Sequence, residues 1–216
     1  MSVDTKGLIM RKKVIAIIAD GEKVNNIENI LNDVDVIIAA DGGANICRIC
    51  EVTPDYIIGD LDSIILENIK FFSKSKFVEV SEQSTTDLPK AISYALKLNP
   101  TKIKIIAAFG KRTDHTIANI LIFQNYDELI PLEVYDNFGV MNFYPPGKHY
   151  IALQSGQTIS FFSITPIENL SLEGFKYPVI DTDYSNNFIG ISNVAIDKNC
   201  SIKFNRGKPI SYKIVV

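Results

Sequence analysis

At 216 residues, with 46% hydrophobic and 22% charged side chains, the chain can bury one or two sizeable cores. A formal net charge of −3 gives nucleic acid no electrostatic foothold. The aliphatic stretch Val14–Ala19 is too short to cross a membrane, and it runs into Asp20-Gly21 rather than a small-residue cleavage site. It therefore reads as a strand and not a leader, and the expected compartment is the cytoplasm.

In chain order, Val14–Ala19 reads as a strand and Asn25–Leu31 as a short helix. Asp35–Ala40 and Tyr56–Ile58 are strand-like, with helical Ala44–Cys50 between them and helical Leu66–Ser73 after them. Strand Phe77–Val80 leads to helix Leu88–Leu98, and strand Ile103–Ala108 to helix Ile117–Leu129. Leu132–Tyr135 closes the series as a last strand. Continuous Val/Ile/Ala runs between amphipathic helices predict an open, mostly parallel sheet covered by helices, a Rossmann-like α/β domain over residues 1–138.

The texture changes after residue 138. Pro145-Pro146-Gly147 makes a turn, and short β-rich stretches follow at Tyr150–Leu153, Thr158–Phe162, Val194–Ile196, Ser201–Phe204 and Ser211–Val216. Residues 139–216 are thus expected to form an all-β sandwich. The three cysteines make a poor disulfide framework, and Cys47-Arg-Ile-Cys50 has no second pair to complete a zinc site. Cys47 and Cys50 read as small apolar residues on one helical face.

Acids gather where strands end. "ADGGAN" brings Asp41 after the second strand, and "PDYIIGDLDS" brings Asp60 and Asp62 after the third. "EQSTTDL" follows the fourth with Asp87, and "FGKRTDH" follows the fifth with Arg112 and Asp114. In an open parallel sheet, ligands bind beyond the carboxyl ends of the strands, so these acids share one rim. Each has a plain alternative: Asp41 can make an Asx turn, and Asp87 and Asp114 can serve as helix caps or first-turn acids. Two carboxylates about 4 Å apart repel by roughly 4 kcal/mol at an effective dielectric of about 20, so convergent acids call for a cation. All-oxygen ligands select a hard ion, and Mg²⁺ carried with a nucleotide polyphosphate suits the set. Gly42, Gly43 and Gly59 admit close backbone approach, and Lys111 and Arg112 supply positive charge for phosphates. Neither G-x-x-x-x-G-K-[ST] nor G-x-G-x-x-G is present, which removes weight from P-loop kinases and nicotinamide dehydrogenases.

With "ADGGAN", "PDYIIGDLDS", "TTDLPKA" and "GKRTDHTIANI" in order, and "GFKYP" and "GISN" after them, the chain resembles the thiamine pyrophosphokinase family. That resemblance implies an ATP-dependent diphosphotransferase that moves a pyrophosphoryl group to the hydroxyethyl group of thiamine and releases AMP. It also implies an α/β catalytic domain, a β-sandwich thiamine-binding domain and a homodimer. Carried over by motif position, Asp41, Asp60, Asp62 and Asp87 surround Mg²⁺ and the phosphates, with Asp62, Asp87, Arg112 and Asp114 as the catalytic set. Gly42, Gly43, Asn45, Gly59, Lys111, Thr113 and His115 join Asp41 and Arg112 around ATP, and His115 has a positional role at a helix start. Gln83, Asp87, Ser192 and Asn193 face thiamine. Phe175, Tyr177, Tyr184 and Phe188 are candidate walls for the cationic, aromatic substrate, with ordinary β-domain packing as the alternative. Ser84 stands where many members have an acid, and the chain has no tryptophan to stack on thiamine. The rivals are a pyrophosphokinase for another hydroxymethyl heterocycle such as a pterin, and a non-catalytic sensor of thiamine diphosphate or nucleotide. A phosphohydrolase with Asp60 as nucleophile is a third.

Overall fold

Five apolar runs become five parallel strands. The computed structural model describes residues 12–81, 85–126 and 128–215, and the chain divides into two compact units between Arg112 and Thr113. In the first unit β1 (Val14–Ile18), β2 (Val36–Ala40), β3 (Tyr56–Gly59), β4 (Lys76–Glu79) and β5 (Lys102–Ile106) lie in the order β5-β1-β2-β3-β4. Every pairing is parallel. Ile15, Ile17, Ile38, Ile57, Ile103 and Ile105 are fully buried, as expected of strands covered on both faces. β4 is the edge, and exposed Lys76 and Glu79 keep it from recruiting another strand.

The order follows from the crossovers. α1 (Ile27–Leu31), α2 (Gly43–Ile49) and α3 (Leu66–Phe71) carry the chain stepwise outward from β1 to β4. α4 (Asp87–Lys97) then returns it past β3, β2 and β1 to β5. Right-handed connections require this return to cross the opposite face from the outward steps. The helix is built for it, because Leu88, Ala91, Ile92 and Ala95 form a buried stripe at helical spacing. The loops after β2 and β3 and the start of α4 hold the acids discussed below.

The second unit opens with α5 (Thr113–Phe123), which begins four residues before the predicted start and ends six before the predicted end. β6 (Leu132–Tyr135) and β7 (Gly139–Phe143) follow as an antiparallel hairpin, so β6 does not simply close a parallel series. Asp136 makes the turn, its Oδ1 accepting the N–H groups of Phe138 and Gly139. Residue 138 lies at the tip of this hairpin. β9 (Thr158–Ser163), β12 (Phe188–Val194) and β14 (Ile210–Ile214) extend it in the order β12-β9-β14-β7-β6. A four-stranded antiparallel sheet holds β11 (Val179–Tyr184), β10 (Ile167–Glu173), β13 (Cys200–Phe204) and β8 (Gly147–Ile151), in that order.

Leu153, Phe161, Leu170, Phe175, Ile202 and Phe204 pack into the second unit's core. β9 alternates buried and half-buried residues, the mark of a strand with one face on the core. Strands β7, β10 and β11 lie outside the expected set. β10 carries Glu168 and Asn169, the latter at φ 57, and polar β11 spells Val-Ile-Asp-Thr-Asp-Tyr, so neither has a clean apolar alternation. Among the described residues no helix is long and apolar enough to cross a membrane.

Candidate functional site

Three segments far apart in sequence bring carboxylates together. Asp41, Asp60 and Asp87 each offer an oxygen within 4.8 Å of the others. Asp41 follows β2 in the left-handed conformation, φ 42, and its N–H donates to the Ile58 carbonyl of β3 at 2.8 Å. Its side chain is folded inward to 3% exposure, and Oδ1 has no hydrogen-bond partner. An orphaned buried carboxylate oxygen is rare in folded proteins and destabilising unless a ligand satisfies it. Burial pushes the Asp41 carboxyl above the ordinary carboxylate value; the Ser63 hydroxyl and Gly42 N–H oppose this, while the Asp87 and Asp60 charges add to it.

Gly59 makes the convergence possible. A Cβ there would stand 2.6 Å from the Asp41 Cβ and 3.2 Å from Asp87 Oδ1, so a side chain would part the acids. Asp60 follows at once. Leu61 then turns left-handed, φ 67, and interrupts the extended alternation that would have kept Asp60 and Asp62 side by side. Asp62 lies outside the three-acid group among the described residues: its N–H reaches back to Asp60 Oδ1 at 3.4 Å, and its Oδ1 accepts the Ser63 hydroxyl at 2.9 Å.

Asn45 clamps this loop. Its Nδ2 donates to the Ser63 carbonyl at 2.9 Å, while its Oδ1 accepts the Ile65 N–H at 3.1 Å and Asn68 Nδ2 at 2.9 Å. With its oxygen taken twice, Asn45 braces the loop bearing Asp60. Gly42 and Gly43 likewise serve packing: a Cβ on Gly43 would fall 2.0 Å from the Ile18 carbonyl, and one on Gly42 2.9 Å from Asp20 Cγ. They let α2 and the Asp41 turn close on β1.

Asp87 is the first residue of α4, the first-turn position foreseen for it, where the helix dipole favours a negative charge. Its Oδ1 accepts Lys90 Nζ at 3.0 Å, one turn along the helix. Lys90 was missed in the sequence, where an acid and a lysine three apart on a helix look like a surface pair. Lys111 Nζ donates to Asp20 Oδ1 at 2.8 Å, both half-exposed at the ends of β5 and β1. Asp20 was also missed, although it ends its strand like the other rim acids. Arg112 is exposed and closes the first unit.

Thr113, Asp114 and His115 form the exposed first turn of α5, with Asp114 Oδ1 accepting the His115 N–H at 3.0 Å. The bond uses the His115 backbone N–H and not its imidazole. Gln83, together with Ser84, lies outside the described residues.

On β12, a bulge between Gly190 and Asn193 sets Ser192 at φ 55 with its side chain exposed. Asn193 is buried and fully committed. Its Oδ1 accepts the N–H groups of Tyr177 and Val194, and its Nδ2 donates to the Tyr177 carbonyl at 2.8 Å. Of the candidate aromatic walls, Phe175 and Phe188 belong to the β core and Tyr184 packs against it; Tyr177 is exposed. Cys47 and Cys50 are buried, and burial raises the Cys47 thiol to about 12, which matches the apolar role expected of them.

Three hard oxygen donors, one orphaned and buried, fit a divalent cation such as Mg²⁺. Two family models match the chain: "Thiamin pyrophosphokinase, catalytic domain" over residues 27–132 and "Thiamin pyrophosphokinase, vitamin B1 binding domain" over residues 148–208. Thiamine pyrophosphokinase of Bacillus subtilis is 28% identical over 204 residues, which cover 90% of this chain and 95% of that protein. A crystal structure of thiamine pyrophosphokinase from Bacillus subtilis superposes with a TM-score of 0.85 at 26% identity, over 94% of this chain and 99% of the other. Thiamin pyrophosphokinase from Candida albicans shares the fold, with a TM-score of 0.83 at 18% identity, over 94% and 90% of the two chains. The acid rim, the appended β unit and both family matches agree, and the chain belongs to the thiamin pyrophosphokinase family.

Proposed function

We infer that the protein transfers the pyrophosphoryl group of ATP to thiamine, forming thiamine diphosphate and AMP. The observation that carries this reading is the meeting of Asp41, Asp60 and Asp87 within 4.8 Å, with Asp41 Oδ1 buried and unpartnered, in a chain matched by both the catalytic and the vitamin B1 binding models. The hydroxyethyl oxygen of thiamine attacks the β-phosphorus, the bond from that phosphorus to the α-bridging oxygen breaks, and AMP leaves with the bridging oxygen. The hydroxyl proton is released in the same exchange.

Transfer of this kind rests on positioning and charge neutralisation. Asp41, Asp60 and Asp87 would hold Mg²⁺, with Asp62 as a further acid on the same loop. When bound, the metal neutralises polyphosphate charge. Asn45 and Gly59 fix the acid loop, and Lys111 and Arg112 offer positive charge to the phosphates. Thr113, Asp114 and His115 are assigned to the nucleotide on the family resemblance, as are Gln83 and Ser192 to thiamine. Asn193 acts by holding the backbone of Tyr177, whose exposed ring is suited to the thiamine cation. A cytoplasmic homodimer is part of this reading. Exposed Ile117 and Leu121 on α5, and Ile189 and Ile191 on β12, supply apolar surface for a second copy.

Purified protein incubated with ATP, Mg²⁺ and thiamine should release AMP in step with thiamine diphosphate, and only with metal present. ADP appearing with thiamine monophosphate would overturn the assignment of the attacked phosphorus. Thiamine binding with no product would favour a sensor.

A further inference from the structure

Lys90 is a buried cation beside an acid cluster, an arrangement that metal binding by itself does not explain. Its side chain is 6% exposed, and its ammonium stands 3.0 Å from Asp87 Oδ1. Asp87 in turn is one of the three acids that meet within 4.8 Å. A buried ammonium is tolerated only when paired, and a positive charge this close to a cation site repels the cation. On charge alone Lys90 would be a liability to the site. Its geometry supplies the reason to keep it. The same oxygen, Oδ1, accepts the lysine and lies beside Gly59, where a Cβ would come within 3.2 Å. A carboxylate whose one oxygen is fixed by a charge-assisted hydrogen bond has both oxygens fixed.

We propose that Lys90 is a positioning residue for the metal site, holding Asp87 in the orientation in which its carboxylate meets those of Asp41 and Asp60. The proposal rests on the metal reading given under Proposed function. It acts through Asp87 and needs no contact between Lys90 and the metal or the substrates. Helical spacing makes the arrangement local: residues three apart on α4 face the same way, so the residue that opens the helix and the residue that orients it are carried by one turn.

Charge and orientation predict opposite signs, which makes the test decisive. Mn²⁺ is the probe, and its binding to the full chain is followed by loss of the free-ion electron paramagnetic resonance signal. Lys90→Met should weaken Mn²⁺ binding by about tenfold or more, the range found when groups that orient metal ligands are removed. Lys90→Gln keeps a donor for Asp87 without the charge, and should fall between wild type and Lys90→Met; it serves if Lys90→Met does not fold, as judged by circular dichroism in EDTA. In an Asp87→Asn background, adding Lys90→Met should no longer weaken Mn²⁺ binding and should leave it unchanged or tighter, because the lysine then has nothing left to orient and only its repulsion is removed. Unchanged or tighter Mn²⁺ binding in both lysine variants would overturn the proposal. So would an undiminished loss in the Asp87→Asn background, which would mark Lys90 as generally structural. Failure of the unsubstituted protein to bind Mn²⁺ at millimolar concentration, or Asp87→Asn binding as wild type does, would remove the metal reading itself and this proposal with it.

Discussion

Asp41→Asn should stabilise the metal-free protein while abolishing its chemistry. The substitution is close to isosteric, and asparagine accepts the left-handed backbone that Asp41 adopts at φ 42, so no strain is introduced. What changes is charge. At the 4.8 Å limit of the cluster, one pair of carboxylates repels by about 3.5 kcal/mol at an effective dielectric of about 20. Burial opposes the Asp41 charge most, and the Asp87 charge acts on it ahead of that of Asp60, with the Lys90 ammonium beside Asp87 countering part of the repulsion. Asp60 and Asp87 are both partly exposed, and solvent screening together with the Lys90 charge reduces the gain to about 2 kcal/mol. For a chain of this length that is a rise in Tm of about 4–8 °C. The sign with pH follows from the raised carboxyl of Asp41. A group with its folded value above its unfolded one favours the fold when protonated, and that contribution is lost as pH rises through the folded value. The gap between variant and wild type in EDTA should therefore be widest near neutral pH and close as pH falls toward 3.8, the ordinary value. Differential scanning calorimetry in EDTA and in Mg²⁺ measures both, and the Mg²⁺-induced shift of the wild type should vanish in the variant. A lower Tm for Asp41→Asn in EDTA would refute the reasoning, because it would mean that the Ser63 and Gly42 contacts outweigh the burial and repulsion of the carboxylate.

Gly59→Ala should lose metal-dependent stabilisation and destabilise the fold by about 1–3 kcal/mol, since the new Cβ would meet the Asp41 Cβ at 2.6 Å; a urea titration with and without Mg²⁺ separates the two effects. Asn193→Ala leaves the N–H and carbonyl of Tyr177 without their side-chain partner, so the KM for thiamine should rise about tenfold while that for ATP changes little. Steady-state kinetics with each substrate varied in turn would show it. Cys47, with its thiol raised to about 12 by burial, should resist iodoacetamide in the native protein at pH 8 and react once urea unfolds it, as read by mass spectrometry.

The parallel sheet was legible because β1, β2 and β3 are short unbroken apolar runs, and the acids after β2 and β3 were legible because they stand where those runs stop. The details that the string hides are conformational. Asp60 and Asp62 look equivalent in the string, and only the left-handed Leu61 directs Asp60 toward Asp41 and Asp87 while Asp62 turns to Ser63. Gly43 invites a ligand-cradling reading, and the string does not show that α2 closing on the Ile18 carbonyl already requires glycine there. In the β unit, Phe175 and Phe188 were offered as ligand walls and serve the core, because nothing local distinguishes an aromatic facing inward from one facing a substrate. In β10 the left-handed Asn169 breaks the strand ahead of a short alternation at Leu170-Ser171-Leu172-Glu173, and polar β11 left no period to read.

A cluster made from residues 41, 60 and 87 has no local cause. Its members meet because β2 and β3 are neighbours and because α4 starts its return crossing beside them, so the whole topology of the first unit converges on one repulsive spot. Folding by itself would select against that spot: it leaves Asp41 Oδ1 without a partner, and it demands glycine at position 59. Packing explains the neighbours, since Gly43 lets helix and strand touch and Asn45 ties down a loop. No packing role accounts for an inward-facing carboxylate. A chain that places three acids together through its long-range topology, and braces them with Asn45 and Lys90, has the arrangement that the proposed cation site calls for and that the fold itself does not need.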